Sequence, residues 1–152
     1  MKLDIIDTKL INILQINSKT TTKQIAHKLN LSVTAIYERI KKLEKNGVIE
    51  KYVAVINKEK VNRDFVVFCQ VKLVQHHHVY IKEFEREVLQ FTEVLECYNI
   101  SGDYDYFLKV AVENMKSYRN FINFKLTTLN HISSTQSIFI IEEVQNKSAL
   151  LL

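Results

Sequence analysis

A chain that reverses direction often usually leans on glycine and proline. This one has no proline, and glycine only at positions 47 and 102. Glycine reaches left-handed backbone without a Cβ clash, so Gly47 and Gly102 mark bends that other residues make less well. The same scarcity excludes chemistry. A dinucleotide fingerprint needs three clustered glycines, and a phosphate-cradling loop needs two within six positions, followed by lysine. Nucleotide-binding loops of these kinds are therefore out.

With 152 residues, 47% apolar and 25% charged, the chain suits one compact domain or two small ones. Cys69 and Cys97 lie in apolar, strand-like runs outside any CxxC pair, so buried free thiols are expected rather than a disulfide or zinc framework. His76, His77 and His78 are adjacent on one loop and cannot converge unaided on an ion. No metal and no cofactor is expected. Asp4 and Asp7 interrupt any N-terminal signal core, and no apolar run approaches the roughly 20 residues of a membrane span. The expectation is a cytoplasmic protein without a membrane partner.

Charge is unevenly placed. Residues 1–62 carry a net +6 and residues 63–152 a net −2. A basic front on a weakly acidic body suits a chain of which one part meets a polyanion. In that front, Leu3, Ile6, Leu10, Ile13 and Leu14 follow helical spacing behind an Asp4 cap. A second helix is predicted over 22–29, capped by Thr21 or Thr22, and a break at Asn30-Leu31-Ser32 follows. Ser32 caps a third helix with Val33, Ile36, Ile40 and Leu43 inward, ended by Gly47 in a left-handed cap. Val48 to Ile56 reads as a short β segment.

Two helices about a tight turn make a helix-turn-helix, whose last helix offers one face to the major groove of DNA. Thr34, Ala35, Tyr37, Glu38, Lys41 and Lys42 point outward, with Arg39 at the boundary. Small residues there allow close approach, and polar ones can bond base edges and phosphates. Thr22, Lys23 and Ser32 complete the candidate DNA-binding set.

The remainder reads β-α-β-β-α-β: strands over 65–74, 94–100, 104–112 and 135–144, and helices over 79–89 and 115–129. Met115, Tyr118, Ile122, Leu126 and Leu129 form the inner stripe of the second helix. This is the ferredoxin-like order, with helices on one face of an antiparallel sheet, and Gly102 sits at the turn of its central hairpin. The fold class is thus α+β, with domains over residues 1–62 and 63–152. Several strands are apolar on both faces, which a solvated face would not be. A second copy of the sheet about a two-fold axis is expected to cover the open face, giving a dimer.

Leu3-Asp4 through Asp7, Ile25-Ala26, Leu31-Ser32, Arg39-Ile40, Leu43-Glu44, Gly47-Val48-Ile49 and Tyr52 resemble the front pattern of the Lrp/AsnC, or feast/famine, transcription regulators. Ser101-Gly102-Asp103-Tyr104-Asp105-Tyr106-Phe107-Leu108-Lys109 is similar to that family's signature hairpin. Thr135, Ser137 and Glu142-Glu143-Val144 resemble its last strand. The resemblance implies a DNA-binding domain joined to an effector domain, with dimers able to assemble into octamers. It also implies an amino-acid effector held between subunits by Ile100, Ser101, Gly102, Asp103 and Asp105, completed by a neighbour's Thr135 and Ser137. Hydroxyls, backbone N–H groups and carboxylates are what a zwitterion needs. Asn62 and Asn130-His131 stand where the family commonly has Gly or Pro, and Asn tolerates left-handed backbone.

Two other readings compete. Asp103, Asp105 and His131 could serve an enzyme as acid–base partners, but no nucleophile motif accompanies them and the basic front is left unexplained. An architectural DNA-binding protein that ignores small molecules would share the front half and be silent to all twenty amino acids.

Overall fold

The computed structural model describes residues 2–147, 149–150 and 152. It divides into two compact units, Met1–Val55 with Gln145–Leu152, and Ile56–Val144.

In the first unit, α1 (Ile5–Ile16) begins with a reciprocal cap: Asp4 accepts the Asp7 N–H at 2.7 Å, and Asp7 accepts the Asp4 N–H at 3.2 Å. Thr21 and Gln24 repeat this device at the start of α2 (Thr22–Leu29). Asn30 leaves α2 in left-handed backbone, φ 53°, which makes the tight turn without glycine. Ser32 then caps α3 (Val33–Lys45) through the Ala35 N–H. Gly47, at φ 68°, closes α3: the Val48 N–H reaches Leu43 O and the Gly47 N–H reaches Glu44 O. Leu10, Leu14, Ile25, Ala26, Ile36 and Leu43 meet in one buried core.

Two expectations need correcting here. Val33 is exposed, because it opens the first turn of α3 before the inward stripe reaches the core. Residues 48–56 form no strand: an extended segment becomes a strand only when a neighbour takes its backbone bonds, and none of the described residues does.

The second unit is a four-stranded sheet in the order β2-β3-β1-β4, every neighbouring pair antiparallel. In chain order its elements are β1 (Phe65–Leu73), α4 (His78–Val88), β2 (Val94–Asn99), β3 (Tyr106–Val112), α5 (Met115–Phe124) and β4 (Ile132–Phe139). Residues directly opposite across a ladder share a face. Val67, Cys69 and Val71 of β1 pair with Val110, Leu108 and Tyr106, and all pack with Phe84 and Val88 of α4 and Tyr118 and Phe121 of α5. Val66, Phe68, Phe107, Ala111 and Ile138 take the other face, which no helix of this unit covers. The β-α-β-β-α-β order and the α+β class stand.

The edges of these elements moved. β4 runs from Ile132 to Phe139 rather than over 135–144, because its ladder is fixed at the other end: Val74 N–H bonds His131 O, and pairing with β1 starts at Ile132. Ile141 is fully exposed despite lying in the apolar run that suggested a longer strand. α5 stops at Phe124, and a separate short turn over Leu126–Thr128 follows. Its buried stripe is Tyr118 and Phe121, while Met115 is exposed.

Candidate nucleic-acid interface and ligand hairpin

Thr34, Tyr37, Glu38, Lys41 and Lys42 are all exposed, at spacings of three, four, seven and eight from Thr34, so α3 presents them as one stripe. The Lys41 ammonium lies 3.2 Å from Glu44 and 5.8 Å from the centre of the Tyr37 ring. Glu44 raises the Lys41 pKa above its ordinary value, so this lysine stays charged. Lys42 has no carboxylate partner among the described residues. On α2, Lys23 is exposed and Thr22 half-buried. Ser32 is exposed at the cap, and Ala35, whose N–H it binds, is half-buried.

Arg39 is placed differently. One guanidinium nitrogen lies 2.7 Å from Asp4 Oδ2 and 2.6 Å from Asp7 Oδ1, joining α3 to the start of α1. Asp7 is buried, and a buried carboxylate is tolerated only with a charged or well-bonded partner. The two carboxylates raise the Arg39 pKa further. Arg39 thus ties α3 to the start of α1. The signal for this was an aspartate, Asp7, set inside an apolar helical stripe.

The hairpin between β2 and β3 is a loop over 100–105, closed by the Ile100 N–H on Asp105 O at 2.9 Å. Gly102 sits at φ 124°, and no heavy atom lies within 4 Å of where a Cβ would be. Ser101, Gly102 and Asp103 are exposed, and Ile100 is half-buried. Asp105 is engaged from several sides. Its N–H bonds Val71 O, its Oδ2 accepts the Leu73 N–H at 2.7 Å, and its Oδ1 lies 2.6 Å from His76 Nε2. Asn99 donates to its carbonyl. The part played by His76 was not legible in a run of three histidines.

Thr135 and Ser137 lie opposite Val71 and Cys69, on the helix-covered face of edge strand β4. The Ser137 hydroxyl shares a 2.7 Å hydrogen bond with Tyr118, whose own pKa is pushed up by burial. β1 stands between β4 and the hairpin strand β3, so a full strand separates these hydroxyls from the loop. His131, at φ 70°, stacks on Tyr80 with ring centres 3.7 Å apart and lies 3.5 Å from Glu83. Among the described residues no group of three His, Cys, Asp or Glu side chains could hold a metal ion, and no helix is long and apolar enough to cross a membrane.

Comparison with known proteins gives matches to both units. A winged helix-turn-helix DNA-binding family matches residues 3–50, and the Lrp/AsnC ligand-binding domain family matches residues 66–150. A leucine-responsive regulatory protein of Haemophilus influenzae is 36% identical over 150 residues, covering 99% of this chain and 90% of that protein. An AsnC-family transcriptional regulator from Agrobacterium tumefaciens superposes with a TM-score of 0.93 at 34% identity, covering 97% of this chain and 96% of that one. A Neisseria meningitidis transcriptional regulator, solved in complex with L-Met, also superposes at 0.93, with 27% identity and 98% and 96% coverage.

Proposed function

Since the chain belongs to the Lrp/AsnC family of DNA-binding transcriptional regulators, we propose that it reads DNA with α3 and answers to an amino acid at the 100–105 hairpin. The observation that carries the first half is the exposed stripe of Thr34, Tyr37, Glu38, Lys41 and Lys42 on a helix capped at both ends. Lys41 and Lys42 contact phosphates, with Lys23 and the Thr22 and Ser32 hydroxyls beside them. Thr34, Tyr37 and Glu38 read or support base contacts, and Ala35 leaves room for approach. Arg39 positions the helix.

For the ligand, the exposed backbone of Ser101 and Gly102, with the carbonyl of Ile100 beside it, offers hydrogen bonds, and Asp103 offers a carboxylate to an ammonium group. Asp105 braces the loop from behind. Thr135 and Ser137 of another subunit complete the pocket. The L-Met complex of the Neisseria regulator supports an amino acid as effector.

A second copy of the chain covers the open sheet face, where the Phe68 and Phe107 rings lie 5.0 Å apart with Val66 and Ile138 beside them. It also supplies a strand partner for the apolar linker Val53, Val55 and Ile56, which are all exposed. The homodimer sets two reading helices on one operator, and dimers join into larger assemblies up to octamers. An amino acid that favours one assembly over another alters the spacing of those helices, by as much as its affinities for the two differ. Such a regulator works in the cytoplasm and needs no cofactor or catalytic group.

Replacing Lys41 and Lys42 together by Ala should weaken binding to every sequence and lower the slope of log affinity against log salt by about two. An unchanged slope would remove the phosphate assignment. Calorimetry with each of the twenty amino acids tests the effector half, and silence across the set favours an effector-independent architectural protein.

A further inference from the structure

We propose that His76 is a positioning residue for the effector hairpin, fixing Asp105 so that the loop presents a single geometry to its amino acid. The proposal rests on the effector reading above. A carboxylate can only accept hydrogen bonds, so Nε2 of His76 bears the proton in the 2.6 Å contact with Asp105 Oδ1. The other oxygen is taken by the Leu73 N–H. With both oxygens already accepting, Asp105 is tied to the strand end and the α4 loop, and the exposed Asp103 is the carboxylate left open to an ammonium. The hairpin therefore divides the work of two aspartates separated only by Tyr104.

His76 is the one side chain among these contacts that lies outside the sheet. The Leu73 and Val71 bonds come from the β1 backbone and tie Asp105 to the strand end. The imidazole comes from the loop before α4 and covers the carboxylate from the solvent side: its side chain is 68% exposed, that of Asp105 only 17%. Just beyond it that loop is held by ring contacts, since His77 meets Tyr80 edge-on at 5.8 Å and Tyr80 stacks on His131. His76 thus links a loop fixed on α4 to a hairpin that has few other side-chain ties.

H76Q keeps a side-chain amide donor at this position, whereas H76A removes the donor altogether.

The test uses the full chain with two readouts: hydrogen exchange of the Leu73 and Ile100 amides in the ligand-free protein, and calorimetry with L-Met followed by the other nineteen amino acids. H76A should speed exchange at both amides by about threefold to tenfold, leave Val67 unchanged, and weaken the bound amino acid by a similar factor. H76Q should restore both. Unchanged exchange in H76A would overturn the anchor, and faster exchange with unchanged affinity would overturn its link to the ligand. A wild-type protein silent to all twenty amino acids would overturn the effector reading and the ligand role built on it, while exchange still decides the anchor.

Discussion

In the first unit α2 and α3 turn an apolar stripe inward and a charged one outward: Ile25 and Ala26 against Lys23 and Lys28 on α2, Ile36 and Leu43 against Lys41 and Lys42 on α3. In the second, β1 sends Val67, Cys69 and Val71 under the helices but Val66 and Phe68 to a face its own unit leaves open. Three short helices can cover one another, whereas a sheet has two faces and needs a layer on each. The first unit is built to present a surface and the second to acquire one. Their carboxylate clasps differ in the same sense. Arg39, always charged, holds the buried Asp7 from a helix, while His76 holds Asp105 from an exposed position on a loop.

The contrast breaks first at the open face. Phe68→Lys sets a charge beside Phe107 and Ile138. In a two-fold dimer each substitution acts twice. At about 1.5 kcal/mol or more per lost phenyl burial, the dimer dissociation constant should rise at least about 100-fold. Sedimentation should show monomers, with the helical unit still folded and DNA affinity reduced for want of a second reading helix. A dimer of unchanged strength would place the subunit contact elsewhere.

Arg39→Ala addresses the other side of the comparison. It strands the Asp7 carboxylate, and the first unit should lose about 2 kcal/mol in urea unfolding, while subunit association stays as it was. Arg39→Lys should recover part of this, because the ammonium restores the charge but sits on a shorter stem with no fixed donor plane. A loss of affinity confined to some DNA sequences, without a loss of stability, would return Arg39 to the base-reading set.

The same contrast governs what could be read from the residues alone. The helical unit was legible nearly to the residue: Asp4, Thr21 and Ser32 are the caps, and Gly47 is the stop. Caps are local, so sequence specifies them directly. The sheet unit was legible in order but not at its edges, since β4 begins where His131 and Val74 meet, a contact 57 residues apart in the chain. Residues 48–56 have strand composition without a strand, because none of the described residues pairs with their backbone as a strand. At the hairpin, the family resemblance rather than the residue types implied an amino-acid site, and the split between an anchoring Asp105 and an exposed Asp103 depends on Leu73 and His76.

Gly102→Val tests whether the hairpin's backbone is its function. At φ 124° a β-branched residue is strained, yet no atom stands within 4 Å of the added Cβ, so the cost is about 1–2 kcal/mol of conformation without a clash. Dimers should survive, and calorimetry should find the amino-acid response gone. A normal response would take the loop out of the site.

The smallest effect concerns Asp4, the exposed member of the Arg39 clasp. The Asp7 N–H and then the Arg39 guanidinium hold its carboxyl below its ordinary value of 3.8. The unfolded chain therefore takes up this proton first as acid is added. The stabilisation is complete above about pH 4 and is lost as pH falls through the lower folded value. Asp4→Asn keeps a good cap but removes the charge facing Arg39. The stability difference between wild type and variant should be present at pH 6, and it should shrink towards nothing as both become neutral at this position near pH 2. A difference that persists there would mean that Asp4 acts through the shape of its cap. The pairing with Arg39 would then be a consequence of the fold, leaving Asp7 as the carboxylate that requires it.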